Sequence, residues 1–370
     1  MHRTCVLLLS LLFMNNSLAG FDAVFKDDFE DFVPIITSTN VFLTGHSLLD
    51  DPLADYLQSI SIDKGISYQW NEQNIVGSPI RYRTSGTVSP PNNWQGYLTG
   101  KNRDTFNMDV IAELANPTTI GAGNKYDALI ITESHNIIDA IIWEYTNSLL
   151  RHYHDRLLSG NANGKTLFYQ SWLDIDPNNP QAWINHESLM VAAWECIAEK
   201  VNLTLEADGL PKTASVIPAG LALTELLTRI LNDEVAGFNG TDLQKIDLLF
   251  DDNVHLNTEG IFYMAAVSYV SLYENSPTGV SIPVGINPAT GADLLQVAWE
   301  VVNNYQQNYT TKTMNQCRNL FATQICSSYY NFDGRPGEVA GCEDWMSTNT
   351  NNYYNPFNWP DAGLIVWPDP

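Results

Sequence analysis

Between about residues 35 and 273 the chain alternates short apolar runs with longer stretches of helical spacing. Asn40-Val41-Phe42-Leu43-Thr44 is apolar throughout its centre, which predicts a strand buried on both faces. The same signal recurs at Ile66–Trp70, Tyr126–Thr132, Lys165–Gln170 and Thr213–Ile217. Helical spacing follows each: to about Ser59, then Asp104–Ala115, Asp139–Leu158, Gln181–Val201, Leu221–Asn232 and Thr258–Tyr273. In Asp139–Leu158 the apolar positions Ile142, Tyr145, Leu149 and Tyr153 recur at helical spacing, so one unbroken helix is expected. Residues 77–103 are rich in Gly, Pro, Asn and Ser and read as a long loop. Strands alternating with helices predict an α/β fold with a parallel sheet covered on both faces. In such sheets the reactive groups gather beyond the carboxyl ends of the strands.

The two ends of the chain differ from this pattern. His2 and Arg3 precede the apolar run Cys5–Met14, and Ser17-Leu18-Ala19 follows, as in a secretory signal peptide ending at residue 19. The run is too short to span a bilayer, and Cys5 lacks the context of a lipidated cysteine, so no membrane anchor is expected. Residues 275–370 contain one evident helix, Asp293–Gln306, and are otherwise rich in Asn, Tyr, Trp and Pro. They read as a disulfide-fastened extension on a main domain of residues 20–274, with a separate small sugar-binding module as the alternative.

Composition narrows the partners. Lys and Arg total 18 against 42 Asp and Glu, a net charge of −24. That charge repels a phosphate backbone and an anionic lipid surface, so neither nucleic acid nor membrane is expected as partner. After export the cysteines left are Cys196, Cys317, Cys326 and Cys342. A bridge within the tail cluster is expected, Cys317–Cys326 or Cys326–Cys342. The absence of any CxxC pair speaks against a metal site.

Three segments carry candidate chemistry. Gly45-His46-Ser47-Leu48 ends the first strand, where a serine at a helix start has its developing charge near backbone N–H groups. Thr132-Glu133-Ser134-His135-Asn136 ends the middle strand. Asp251-Asp252-Asn253-Val254-His255 precedes the final helix of the domain, and its Asp-x-x-His spacing lets one carboxylate orient one imidazole.

Serine early, a polar strand end in the middle and Asp-x-x-His late: this order resembles the SGNH (GDSL-like) hydrolase family over residues 38–273. The resemblance implies a flavodoxin-like three-layer α/β/α sandwich and ester hydrolysis without metal or cofactor. It implies Ser47 as nucleophile, His255 as general base then acid, and Asp252 as the group that orients His255. His46 stands where the family has aspartate, and the family's Gly-x-Asn-Asp is missing. The implied oxyanion donors are the Ser47 N–H, the Gly86 N–H (with Gly77 as alternative) and the Asn136 side chain, with His135 able to donate instead.

Other residues are read more cautiously by their chemistry. Trp94 and Trp172, in or just past loops on the catalytic side, are candidates to stack on a sugar. Arg83, with Arg81 and Arg103, is a candidate to bind a substrate carboxylate, against the plainer alternative of pairing surplus acids. His152 and His154 read as solvated helix residues and His186 as structural. Asn202, Asn239 and Asn308 begin glycosylation sequons. The expected activity is removal of O-acyl groups, acetyl above others, from a carbohydrate. A lipase or simple esterase is one rival, and a catalytically silent binding protein on the same fold is the other.

Overall fold

The computed structural model describes residues 36–86, 94–104, 107–347 and 357. The expected signal peptide and the terminal Asn355–Pro360 stretch, apart from Phe357, lie outside the described residues, as does part of the 77–103 loop. The described residues from Thr37 onward form one compact unit.

Five strands form a single parallel sheet: β1 (Ser38–Gly45), β2 (Ser67–Asn74), β3 (Ala128–Thr132), β4 (Lys165–Tyr169) and β5 (Ala214–Ile217). Their order is β2-β1-β3-β4-β5, that of a flavodoxin-like sandwich. Successive side chains of a strand point to opposite faces, and both faces here are buried. Val41, Leu43, Ala128, Ile130 and Leu167 enter one core, while Phe42, Leu129, Ile131 and Phe168 enter the other. That double burial is why the strands read as plain apolar runs.

The helices through residue 273 are α1 (Leu53–Asp63), α2 (Ile80–Arg83), α3 (Val110–Ala115), α4 (Ile137–Trp143), α5 (Thr146–Gly160), α6 (Pro180–Ala207), α7 (Ala219–Leu231), α8 (Asp242–Asp247) and α9 (Thr258–Tyr273). The helix expected over 139–158 is broken: Tyr145 takes a left-handed conformation, φ 58°, and separates α4 from α5. The helix expected from Asp104 starts only at Val110, where the Asp109 side chain caps it by accepting from the Ala112 N–H at 3.0 Å.

Beyond residue 274 the chain is more helical than its composition suggests. It forms α10 (Pro288–Asn308), α11 (Met314–Leu320), a π-helical turn Phe321–Ile325, α12 (Cys326–Phe332) and α13 (Val339–Ser347). Residues of α10 join the core on the α9 side, and those of α11 to α13 join the core on the α6 side. His186 on α6 stacks on Phe332, ring centroids 4.4 Å apart, and pairs with the Ser328 hydroxyl at 2.9 Å.

Cys326–Cys342 stabilises this extension, but Cys317 does not pair within it. Cys317 bonds Cys196 across 121 positions, because α11 packs on α6 and buries the two thiols together. Closing so long a loop is worth about 4–5 kcal/mol in the chain-entropy view. His152 and His154 also depart from expectation. Both are buried; His152 lies edge-on to Trp94 at 4.3 Å, and His154 pairs with the Thr166 hydroxyl at 2.8 Å.

Candidate active site

β1 and β3 are neighbours whose chain continues in different directions, and the candidate groups gather at their carboxyl ends. Gly45 closes β1. A Cβ there would meet the Leu49 Cβ at 2.8 Å, so glycine lets the following turn fold tightly back. Ser47–Leu49 form one 3-10 turn, in which the Ser47 N–H has no intrahelical acceptor.

His46 precedes that turn and is fully buried. Its Nε2–H donates to the Glu133 carbonyl at 2.9 Å, and its Nδ1 accepts from the Leu48 N–H at 3.4 Å. The Asn74 amide donates to the His46 carbonyl at 3.0 Å. Burial, with the nearby Arg83 and His135, pushes the imidazole down to about 3, so it stays neutral. His46 therefore clamps the β1 end to the β3 end.

Glu133 is the next member of this buried network. Its carboxylate accepts from the Ile80 N–H at 2.9 Å, the Ser134 N–H at 2.8 Å and the Thr146 hydroxyl at 2.7 Å. Burial pushes its carboxyl up, opposed by Arg83 and these hydrogen bonds. Arg83 itself has no exposure. Its guanidinium donates to the Ser78 carbonyl at 2.8 Å, the Ser78 hydroxyl at 2.9 Å and the Thr132 carbonyl. It is thus a strut between α2 and β3 rather than a substrate-binding group.

The Asp252–His255 loop approaches from the other side. Phe250 and Leu256 form an isolated antiparallel bridge, and the Asp251 N–H donates to the His255 carbonyl at 2.8 Å. Asp252 Oδ1 accepts from the Val254 and His255 N–H groups, each at 2.7 Å, and Oδ2 pairs with His255 Nδ1 at 2.7 Å. Slight desolvation disfavours the Asp252 carboxylate, but the His255 and Val254 hydrogen bonds prevail and hold it down at about 2. His255 Nε2 lies 2.9 Å from Ser47 Oγ. The three residues are thus linked in a row, with an Nδ1–H facing Asp252 and Nε2 free to accept from the serine hydroxyl.

The segment after β4 supports this loop. The Trp172 indole N–H donates to the Val254 carbonyl at 2.9 Å, and the Ile175 N–H to the Asn253 carbonyl at 2.8 Å. Trp172 is 1% exposed, so its ring is packing rather than an open platform. It lines a cavity of about 40 Å³ beside Ser47 and His255, walled also by Leu48, Leu53, Ile261 and Met264. A cleft of about 490 Å³ adjoins it through the shared residue Asp50 and is lined by Asn74, Gly86 and Lys101.

The remaining candidates are scattered. The Gly86 N–H donates to the Arg81 carbonyl at 3.1 Å and is therefore already engaged. Gly77 is exposed, with φ 63°. Asn136 is exposed at the N-terminus of α4, where its side chain makes no cap. The His135 ring packs edge-on against His46, centroids 5.2 Å apart, and its buried Nδ1 has no hydrogen-bond partner. Trp94 is half-buried against His152 and Tyr97. Arg81 pairs with Glu144, and Arg103 donates to the Trp70 carbonyl at 2.8 Å.

One acidic cluster lies next to the turn. Asp50, Asp51 and Glu72 bring carboxylate oxygens within 4.8 Å of one another. The Lys101 ammonium contacts Asp51, lies 2.8 Å from Asp50 and 3.8 Å from Glu72, and so supplies an internal cation. Burial, reinforced by Asp51, pushes the Glu72 carboxyl up to about 8.

No protein-family model and no curated protein matches the chain. Among solved structures it is similar to a DUF4886 family protein from Bacteroides uniformis ATCC 8492, at 17% identity over 74% of this chain and 98% of that one, with a TM-score of 0.50. What the two share is the fold. A three-layer sandwich with a parallel central sheet is a scaffold compatible with hydrolases.

Of the two sequence readings of Glu133, a buried structural carboxylate or a contact to a polar substrate group, its full burial fits the first; sequence reasoning missed His46 and Trp172 as positioning groups. The signal available was their position at strand ends beside the serine and the Asp-x-x-His loop.

Proposed function

We propose that the chain is an exported serine ester hydrolase of SGNH type that removes small O-acyl groups, acetyl above others, from carbohydrate. The observation that carries this reading is the row Ser47 Oγ, His255, Asp252 with contacts of 2.9 and 2.7 Å. His255 Nε2 takes the hydroxyl proton as Ser47 Oγ attacks the acyl carbonyl, and Asp252 stabilises the imidazolium. The tetrahedral intermediate then expels the alcohol, which takes its proton from His255. Water, deprotonated by His255, attacks the acyl-Ser47 ester; the second tetrahedral intermediate releases the carboxylic acid as Ser47 Oγ leaves and takes the proton back from His255.

The oxyanion would form near the Ser47 N–H. With the Gly86 N–H engaged by Arg81, a second donor would come from the His135–Asn136 stretch. Separate His135→Ala and Asn136→Ala variants assign it: the true donor loses about 10²–10³ in turnover.

The acyl group would enter the small cavity beside Ser47. Its volume of about 40 Å³ and apolar walls favour an acetyl group over a long acyl chain. Turnover of acetylated xylo-oligosaccharides, p-nitrophenyl acetate and p-nitrophenyl palmitate tests this. Activity on the acetates, abolished in Ser47→Ala, is expected. Preference for palmitate overturns the substrate reading, and no hydrolysis above Ser47→Ala overturns the enzyme reading.

A further inference from the structure

The groove between α4 and the C-terminal helices has no part in the chemistry above. It encloses about 840 Å³, within the usual range of ligand pockets. Trp143, 72% exposed, stands on the α4 side with Asp139; Tyr330, Arg335, Glu338 and Trp345 line the other. We propose that this groove binds a neutral oligosaccharide, the carbohydrate part of the substrate; the inference rests on the esterase reading for its place in the reaction.

Position supports the assignment. α4 leaves the end of β3 directly after His135 and Asn136. The chain returns at Thr146, whose hydroxyl donates to Glu133 at 2.7 Å. The α4 segment is therefore a projection from the catalytic edge of the sheet. Its seven residues span roughly 10 Å, and Asp139 in the first turn already lines the groove, which therefore begins four positions along the chain from His135. The opposite wall belongs to the disulfide-fastened extension, which gives that extension a role.

The chemistry of the lining selects the ligand class. Asp139 accepts from the Tyr329 and Tyr330 hydroxyls at 3.1 and 3.0 Å and pairs with Arg335. Asp333 also pairs with Arg335, so two carboxylates outweigh one guanidinium. With Glu338 alongside, the groove carries no positive excess for an anionic ligand. A cationic ligand would find the Tyr330 and Tyr329 ring faces already covered by Arg335, at 4.9 and 5.8 Å. An exposed indole beside fixed, planar polar groups suits a neutral sugar, with C–H bonds on the ring face and hydroxyls on its edge.

The test uses the full chain as Ser47→Ala, so that binding is read without turnover. Xylohexaose, cellohexaose, mannohexaose and chitohexaose, none bearing an ester, are titrated by calorimetry, with polygalacturonate and choline as charged controls. At least one neutral hexaose is expected to bind. Adding Trp143→Ala should weaken it about tenfold, and Trp143→Phe should restore much of the loss. An unaltered far-ultraviolet spectrum and melting temperature would show that the exposed site was changed without unfolding. Absence of binding by all four neutral sugars, equal affinity in Trp143→Ala, or preference for polygalacturonate or choline overturns the proposal. Because the probes carry no ester, these results do not depend on whether Ser47 hydrolyses anything.

Discussion

The two halves of the candidate site are built on opposite terms. On the Ser47 side, His46, Glu133 and Arg83 are fully buried and tie β1, α2 and β3 together, through the Glu133 carbonyl, the Ile80 N–H and the Thr132 carbonyl respectively. On the other side, the His255 and Asp252 side chains are 42% and 56% exposed, on a loop held mainly by backbone hydrogen bonds. A buried polar network fixes geometry because any broken link strands a desolvated group. An exposed loop can exchange protons with water, but its links are individually weak. Ser47 is thus placed by the core, and the His255–Asp252 pair is brought to it.

That contrast predicts an order of stability losses. Arg83→Met should be the most damaging, since it strands the Thr132 and Ser78 acceptors and leaves Glu133 without its nearby positive charge. A loss of about 3–5 kcal/mol is expected in urea denaturation. A wild-type midpoint would show that the buried half is not the scaffold described here.

His46→Asp should follow, at about 2–3 kcal/mol. It restores the residue of the SGNH pattern but sets a carboxylate against the Glu133 carbonyl, where His46 now donates. Improved stability or turnover would contradict the clamp.

Glu187→Gln is expected to act with the opposite sign. Glu187 accepts from the Leu173 N–H at 2.7 Å, beside Trp172, and burial pushes its carboxyl up to about 8. The native state therefore keeps a proton that the unfolded chain releases. Its contribution is present below about pH 4.5 and is lost as pH rises through about 8. Thermal melts should show Glu187→Gln close to wild type near pH 4 and more stable at pH 8, by an amount on the order of a few kcal/mol. Equal stability at both pH values would place the carboxyl in a wetter setting.

Asp252→Asn should have the smallest effect on folding, under about 1 kcal/mol, because the side chain is exposed and an amide oxygen can still accept from Val254 and His255. Turnover should nevertheless fall about 10³–10⁴-fold, through the wrong imidazole tautomer. Comparable turnover would separate Asp252 from the chemistry, while a large stability loss would erase the contrast between the two halves.

The same division explains what could be read from the chain. The β1, β3 and β4 strands were legible because burial on both faces leaves plain apolar runs. That Asp252 would orient His255 was legible because the Asp-x-x-His spacing is local, whereas the approach of His255 to Ser47 spans 208 positions. Arg83 was not legible, since its partner Thr132 lies 49 positions away and arginine is ordinarily exposed. The break at Tyr145 was hidden by continuous helical spacing, and its effect is to return Thr146 to Glu133. The Cys196–Cys317 bridge follows from packing of α11 on α6, which proximity in sequence cannot show.

The most direct measurement is intact mass and peptide mapping after treatment with a fluorophosphonate. One adduct on Ser47, lost in Ser47→Ala and strongly slowed in His255→Ala, is the predicted result. An unlabelled wild type, or an adduct at another serine that persists in Ser47→Ala, would contradict the assignment of Ser47 as a nucleophile activated by His255.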